Sequence, residues 1–160
     1  MTGSRLGVVE HTIRIAARPE IVFGLLTDAK QMLRWQGLEA EVEPQPGGVY
    51  RVRMNAVGET ASGRFVEVTP YSRVVFSWGW ETDDSPVPPG SSTVEITLTQ
   101  DGEGTVLHLL HHGLPPVAEV TEPHAEGWMH YLSRLATVAE DRVPGPDDWA
   151  DGSMGGLRPE

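Results

Sequence analysis

Six histidines in a chain without cysteine are the residues best equipped for chemistry, and three of them cluster in His108-Leu109-Leu110-His111-His112. Near neutral pH an imidazole can ligate a metal, move a proton or hold a ligand. The surrounding run, Thr105 to His112, has the alternation of a strand. On a strand His108 and His112 share one face about 13 Å apart, while His111 takes the other. Zinc needs its nitrogen donors within about 2.1 Å, so this run builds no metal site by itself. His124 and His130, six apart in a helical stretch, fall on different faces. No metal and no other cofactor are expected. His111 is the one catalytic candidate. Facing inward, it can serve as acid or base, orient a ligand's polar group, or be a core histidine satisfied by a helix or backbone partner.

Other constellations fail on their context. Ser62-Gly63 and Ser91-Ser92 lack the strand–turn–helix setting of a nucleophile elbow. Asp83-Asp84 lies on a proline-containing loop and reads as a solvated edge. Asp147-Asp148-Trp149-Ala150-Asp151-Gly152 opens like a calcium loop but has Trp149 at its third position and Arg158 at its twelfth. No glycine-rich phosphate loop precedes a helix.

The elements that would position His111 follow from periodicity. Val8 to Ile15 reads as a first strand rich in β-branched residues. Pro19 opens a short helix with Val22, Phe23 and Leu26 on one face, and Asp28 with Gln31 caps a second that ends near Gly37. From about Leu38 the period becomes two, through Tyr50/Val52/Met54, Gly63 to Val68, Val74/Phe76/Trp78/Trp80 and Val94/Ile96/Leu98. Asp101-Gly102-Glu103-Gly104 makes a hairpin turn into the histidine strand. Then a long helix, about Glu122 to Arg142, carries Trp128, Tyr131, Leu132, Leu135, Val138 and Ala139 as one apolar stripe. Strands grouped between helices predict an α+β fold with an antiparallel sheet of about six to seven strands.

A length of 160 residues suits one domain with one core. Hydrophobic residues at 39% and charged residues at 22% are ordinary for a soluble globular chain. The net charge of −11 argues against nucleic acid or an anionic membrane as partner. No apolar run reaches spanning length and Met1 to Glu10 lacks a signal-peptide core, so a cytoplasmic location without membrane insertion is expected. The domain should span residues 1–142. Residues 143–160, rich in Pro, Gly and Asp, should form an irregular tail whose Trp149 is either loose or docked on this or another chain.

The ordered set Pro19-Glu20-Ile21-Val22-Phe23, Leu33-Arg34-Trp35, Pro46-Gly47-Gly48, Gly63-Arg64-Phe65-Val66-Glu67-Val68, Arg73-Val74-Val75-Phe76-Ser77-Trp78, His111-His112-Gly113-Leu114-Pro115 and Gly127-Trp128 resembles the START-like (SRPBCC, helix-grip) superfamily. Within it the pattern is similar to the heat-shock-protein-90 ATPase activator homologues, over about Val8 to Glu140. Members often carry a second Trp after the one matched by Trp35, where this chain has Gln36. The resemblance implies a curved sheet gripping the C-terminal helix, closed at one end by the two short helices, with a cavity between.

By strand parity Tyr50, Val52, Met54, Phe65, Phe76, Trp78, Val94, Ile96, Leu98, Leu107, Leu109 and His111 should face the helix. The expected ligand-binding set is Trp35, Tyr50, Met54, Phe65, Phe76, Trp78, Trp80, His111, Trp128 and Leu132. A small apolar or amphipathic molecule is the expected partner, and a homodimer is compatible with the sequence. Two alternatives accompany this reading: a cyclase- or aromatase-like enzyme using the same cavity, and a stress-response or co-chaperone-like interaction module.

Overall fold

The computed structural model describes residues 3–150. The tail from 151 onward, with Asp151, Gly152 and Arg158, lies outside the described residues. The chain runs β1 (Gly3–Arg5), β2 (Val8–Ile15), α1 (Pro19–Thr27), α2 (Ala29–Met32), β3 (Glu39–Val42), β4 (Val49–Arg53), β5 (Thr60–Thr69), β6 (Arg73–Trp80), β7 (Ser92–Asp101), β8 (Gly104–His112) and α3 (Ala118–Ala139). All strands join one antiparallel sheet in the order β1-β2-β8-β7-β6-β5-β4-β3. This is the expected α+β helix-grip architecture. The count is eight strands because the three-residue β1 pairs with β2 at the edge, too short a piece to show a period.

Alternation fixes which side of the sheet is buried. Val9, His11 and Ile15 of β2, then Val94, Ile96 and Leu98 of β7 and Leu107, Leu109 and His111 of β8, all point to the helix side and are almost fully buried. The opposite face carries polar pairs instead: His108 hydrogen-bonds Glu10, His112 hydrogen-bonds Glu95, and Arg73 forms ion pairs with both Glu67 and Glu95. A register shift between Phe65 and Glu67 marks a bulge where β5 meets β6, a feature that bends a sheet and increases its twist.

The 22 residues of α3 span about 33 Å and lie along the concave face. The helix starts four residues before the expected Glu122 and ends at Ala139. Its first turn is tied down by the sheet's edge, since the Thr121 hydroxyl accepts the Gly7 N–H at 2.9 Å. Pro123 therefore sits inside the helix, where it removes the N–H that would have reached the carbonyl four residues back. Further along, His11 bonds the Ala125 carbonyl at 3.1 Å, and the Glu140 carboxylate accepts the Ala16 N–H at 2.9 Å. At the closed end Asp28 caps α2 by accepting the Gln31 N–H. Gly37 takes the left-handed φ of +79° expected after a helix end, and a side chain there would collide with Val52.

Candidate functional site

Between the middle of α3 and strands β4 to β6 lies a compartment lined by Gln36, Tyr50, Met54, Ala61, Trp78, Trp80, His124, Gly127, Trp128 and Tyr131. Three tryptophans meet here because β6 places Trp78 and Trp80 on its inner face and α3 turns Trp128 toward them. Trp78 and Trp80 pack edge to face with centroids 4.9 Å apart. Trp78 also meets the rings of His111, His124 and Trp128 within 6.4 Å.

Two of the buried histidines, His111 and His124, are held by complete hydrogen-bond sets, which also fix their tautomers. Ser92 gives its hydroxyl proton to the Trp78 carbonyl at 2.7 Å, so its oxygen accepts from His111 Nε2 at 2.8 Å. His111 Nδ1 then accepts the Trp128 indole N–H at 2.9 Å. In His124 the roles reverse: Nδ1 donates to the Val120 carbonyl and Nε2 accepts the Trp80 indole N–H at 3.0 Å. Burial holds the His111 imidazole well below its ordinary pKa, with His124 and His112 adding to the effect. Burial lowers His124 as well, against the opposing bond to Val120. Both rings are neutral, with no lone pair or N–H left for a reacting group.

The remaining polarity of the compartment lies in Tyr50 and Gln36, both almost fully buried. The Gln36 amide donates to the Tyr50 hydroxyl over a long 3.4 Å. Burial pushes the Tyr50 phenol up to about 12, so it too stays neutral. Among the described residues, no Arg or Lys lines the space.

The residues named from the sequence divide into two groups. Tyr50, Met54, Trp78, Trp80 and Trp128 line the compartment; Trp35, Phe65, Phe76, His111 and Leu132 do not. Trp35 is buried beneath α1, its indole N–H on the Leu25 carbonyl at 2.8 Å. Phe65 meets Tyr50 edge to face, and Phe76 stacks on the Tyr50 ring at 4.1 Å. His111 lies behind Trp78 and Trp128. Gln36, Ala61, His124, Gly127 and Tyr131 complete the lining and were absent from the expected set. The cavity expected between helix and sheet is present only as a small space. Free space amounts to ≈ 20 Å³, about one water molecule, where a pocket for a drug-sized ligand has at least about 300 Å³.

The described residues following α3, 140–150, form no helix or strand, yet they are tied at both ends of a crossing. Arg134 donates to the carbonyls of Trp35 and Gly145. Asp147 accepts from the Tyr131 hydroxyl and His130 Nε2, each at 2.8 Å. Trp149 stacks on His130 at 5.0 Å and packs against the core. The Ala150 carbonyl then accepts the Ala56 N–H, in the β4–β5 turn, at 2.7 Å. Of the two alternatives for Trp149, docking on its own chain is the one observed.

Comparison with known proteins places this architecture. No curated protein matches the chain. Among solved structures it is similar to a protein of Rhizobium etli described as AHSA1-like, with 49% identity over 89% of this chain and 87% of that one and a TM-score of 0.69. It is also similar to an HSP90 activator from Plasmodium falciparum, with 25% identity, 85% and 96% coverage and a TM-score of 0.68. A Micromonospora echinospora protein shares the fold, at 24% identity, 87% and 86% coverage and a TM-score of 0.67. The sequence pattern described as Activator of Hsp90 ATPase homolog 1-like protein matches residues 16–140, most of the chain, and this chain belongs to that family.

Proposed function

We propose that the protein binds a small, neutral, predominantly apolar molecule in the compartment between α3 and the sheet, residues 1–142 forming the binding domain. The observation that supports this reading most is the character of the lining. Three tryptophans, a methionine and the two small residues Ala61 and Gly127 surround a space whose uncommitted polarity is one amide–phenol pair, Gln36 and Tyr50. A buried site without a cation penalises a carboxylate or phosphate by its desolvation, whereas a hydroxyl, carbonyl or amine can meet Gln36 and Tyr50. Since the compartment as it stands holds about one water, binding requires the indoles and Met54 to move apart. Methionine adapts to such changes at low cost.

The enzyme alternative lacks a proton-transfer group. His111 and His124 spend both ring nitrogens on protein partners, and the phenols of Tyr50 and Tyr131 are raised in pKa. The interaction-module alternative draws on the Plasmodium relative described as an HSP90 activator, which this chain covers over 96% of its length. Under that reading the chain would raise the ATPase rate of a heat-shock protein 90 mixed with it.

The test of the ligand reading is titration with N-phenyl-1-naphthylamine, a neutral apolar fluorophore with one N–H. Saturable binding with quenching of the indoles is expected. Ala61→Val, which enlarges a residue of the wall, should weaken it at least fivefold. Absence of saturable binding, or an unchanged Kd in Ala61→Val, would overturn the assignment.

A further inference from the structure

From the crossing made by residues 143–150 we infer that this segment is a clasp that holds the ligand compartment closed, so that its release regulates entry. The inference rests on the ligand reading above. The compartment has two walls, Gly127, Trp128 and Tyr131 on α3, and Tyr50 on β4, Met54 just after it and Ala61 on β5. The segment bonds to one wall and then to the other. Tyr131, itself a lining residue, gives its hydroxyl proton to Asp147. Three residues later the Ala150 carbonyl takes the N–H of Ala56, two residues beyond Met54.

Asp147 is the keystone of this crossing. One carboxylate oxygen meets the Tyr131 hydroxyl, and the other meets both His130 Nε2 and the Trp149 N–H. Its side chain is only 10% exposed, so the bonds are screened by little water. Trp149 covers the cluster by stacking on His130 and meeting Tyr131 edge to face at 6.5 Å. Arg134 anchors the near end through the Gly145 carbonyl.

The bond between Ala150 and the β4–β5 turn, together with the Asp147 bonds to α3, favours the arrangement in which the walls stay together. A ligand larger than ≈ 20 Å³ favours the arrangement in which they part. Two influences on one equilibrium are coupled, and the coupling is reciprocal. Weakening the clasp raises apparent affinity, and ligand loosens the clasp.

The experiment uses the full chain and N-phenyl-1-naphthylamine. Asp147→Ala and Trp149→Ala should each bind the fluorophore at least fivefold more tightly than the wild type while keeping a cooperative urea transition. In the wild type, saturating fluorophore should speed hydrogen exchange at the Ala56 amide. If the wild type binds and Ala61→Val blocks binding, but neither clasp variant tightens it and Ala56 exchange is unchanged, the clasp is overturned and the ligand reading stands. If no variant and no wild-type protein binds the fluorophore, both fall. Should either variant lose its cooperative transition, the Ala56 exchange measurement on the wild type decides alone.

Discussion

At the scale of single residues, the His111–Trp128 bond shows why an inward histidine in this fold is a packing element. Its two nitrogens need partners once water is removed, and the sheet supplies Ser92 while the helix supplies Trp128. The ring thus cross-links layers that apolar contacts alone would leave free to slide. Trp128→Phe keeps most of the buried surface but strands His111 Nδ1 without a donor. Urea denaturation should show a loss of about 1–3 kcal/mol, the cost of an unsatisfied buried acceptor. A loss below about 0.5 kcal/mol would mean that the bond contributes nothing beyond contact. Tyr50 behaves differently. Its partner Gln36 is distant, and burial alone raises its pKa, so this corner is the softest polar contact in the compartment.

At the scale of elements, close backbone approach sets limits that side-chain patterns do not reveal. Gly79 in β6 faces the loop that returns through Pro88, and a Cβ there would sit 1.8 Å from the Pro88 carbonyl oxygen. That loop is held by the Trp80 N–H on the Val87 carbonyl at 2.7 Å, with Val87 buried in the core. Gly79→Ala should therefore cost about 2–3 kcal/mol in urea unfolding, the upper range for overpacking, because backbone cannot rotate aside as a side chain can. A variant as stable as the wild type would show that the loop is not seated as described. The sequence made the strands legible because period two survives along β4, β6, β7 and β8, and it made the hydrophobic stripe of α3 legible for the same kind of reason. It hid what depended on element ends. Ala61 lies in β5 ahead of Gly63, where the pattern becomes recognisable. His124 belongs to a helical turn that Pro123 masks as a beginning. Gln36 carries no period at all and was noticeable only as a departure from its family's usual tryptophan. The closure of the cavity was illegible too, since ring volume and rotamer decide it.

At the scale of the whole molecule, the buried histidines couple stability to pH. In the unfolded chain a histidine titrates near 6.5, whereas His111 and His124 resist protonation in the fold because burial disfavours the cation. Between the two values the unfolded state binds more protons, so stability is fully present above pH 6.5 and is lost as pH falls below it. For a group that stays neutral throughout, lowering pH from 7.5 to 5.5 removes about 1.4 kcal/mol. His111, with the larger shift, should lose nearly all of that. Surface carboxylates do not produce the same slope. Glu10, Glu81, Glu95 and Glu140 are held below their ordinary range by, respectively, His108, Arg51, Arg73 and the Ala16 amide, and they stay ionised through this window. Relief of the net −11 charge acts equally on variants that differ at one buried neutral ring, so a difference measurement isolates the histidine. His124→Gln is less stable than the wild type at pH 7.5 because it gives up the ring's packing and the Trp80 bond. It has no proton to gain on unfolding. The gap between the two proteins should narrow as pH falls to 5.5, by up to about 1.4 kcal/mol. A gap that stays constant, or widens, would mean that His124 is charged in the fold, and the neutral aromatic compartment described here would not exist.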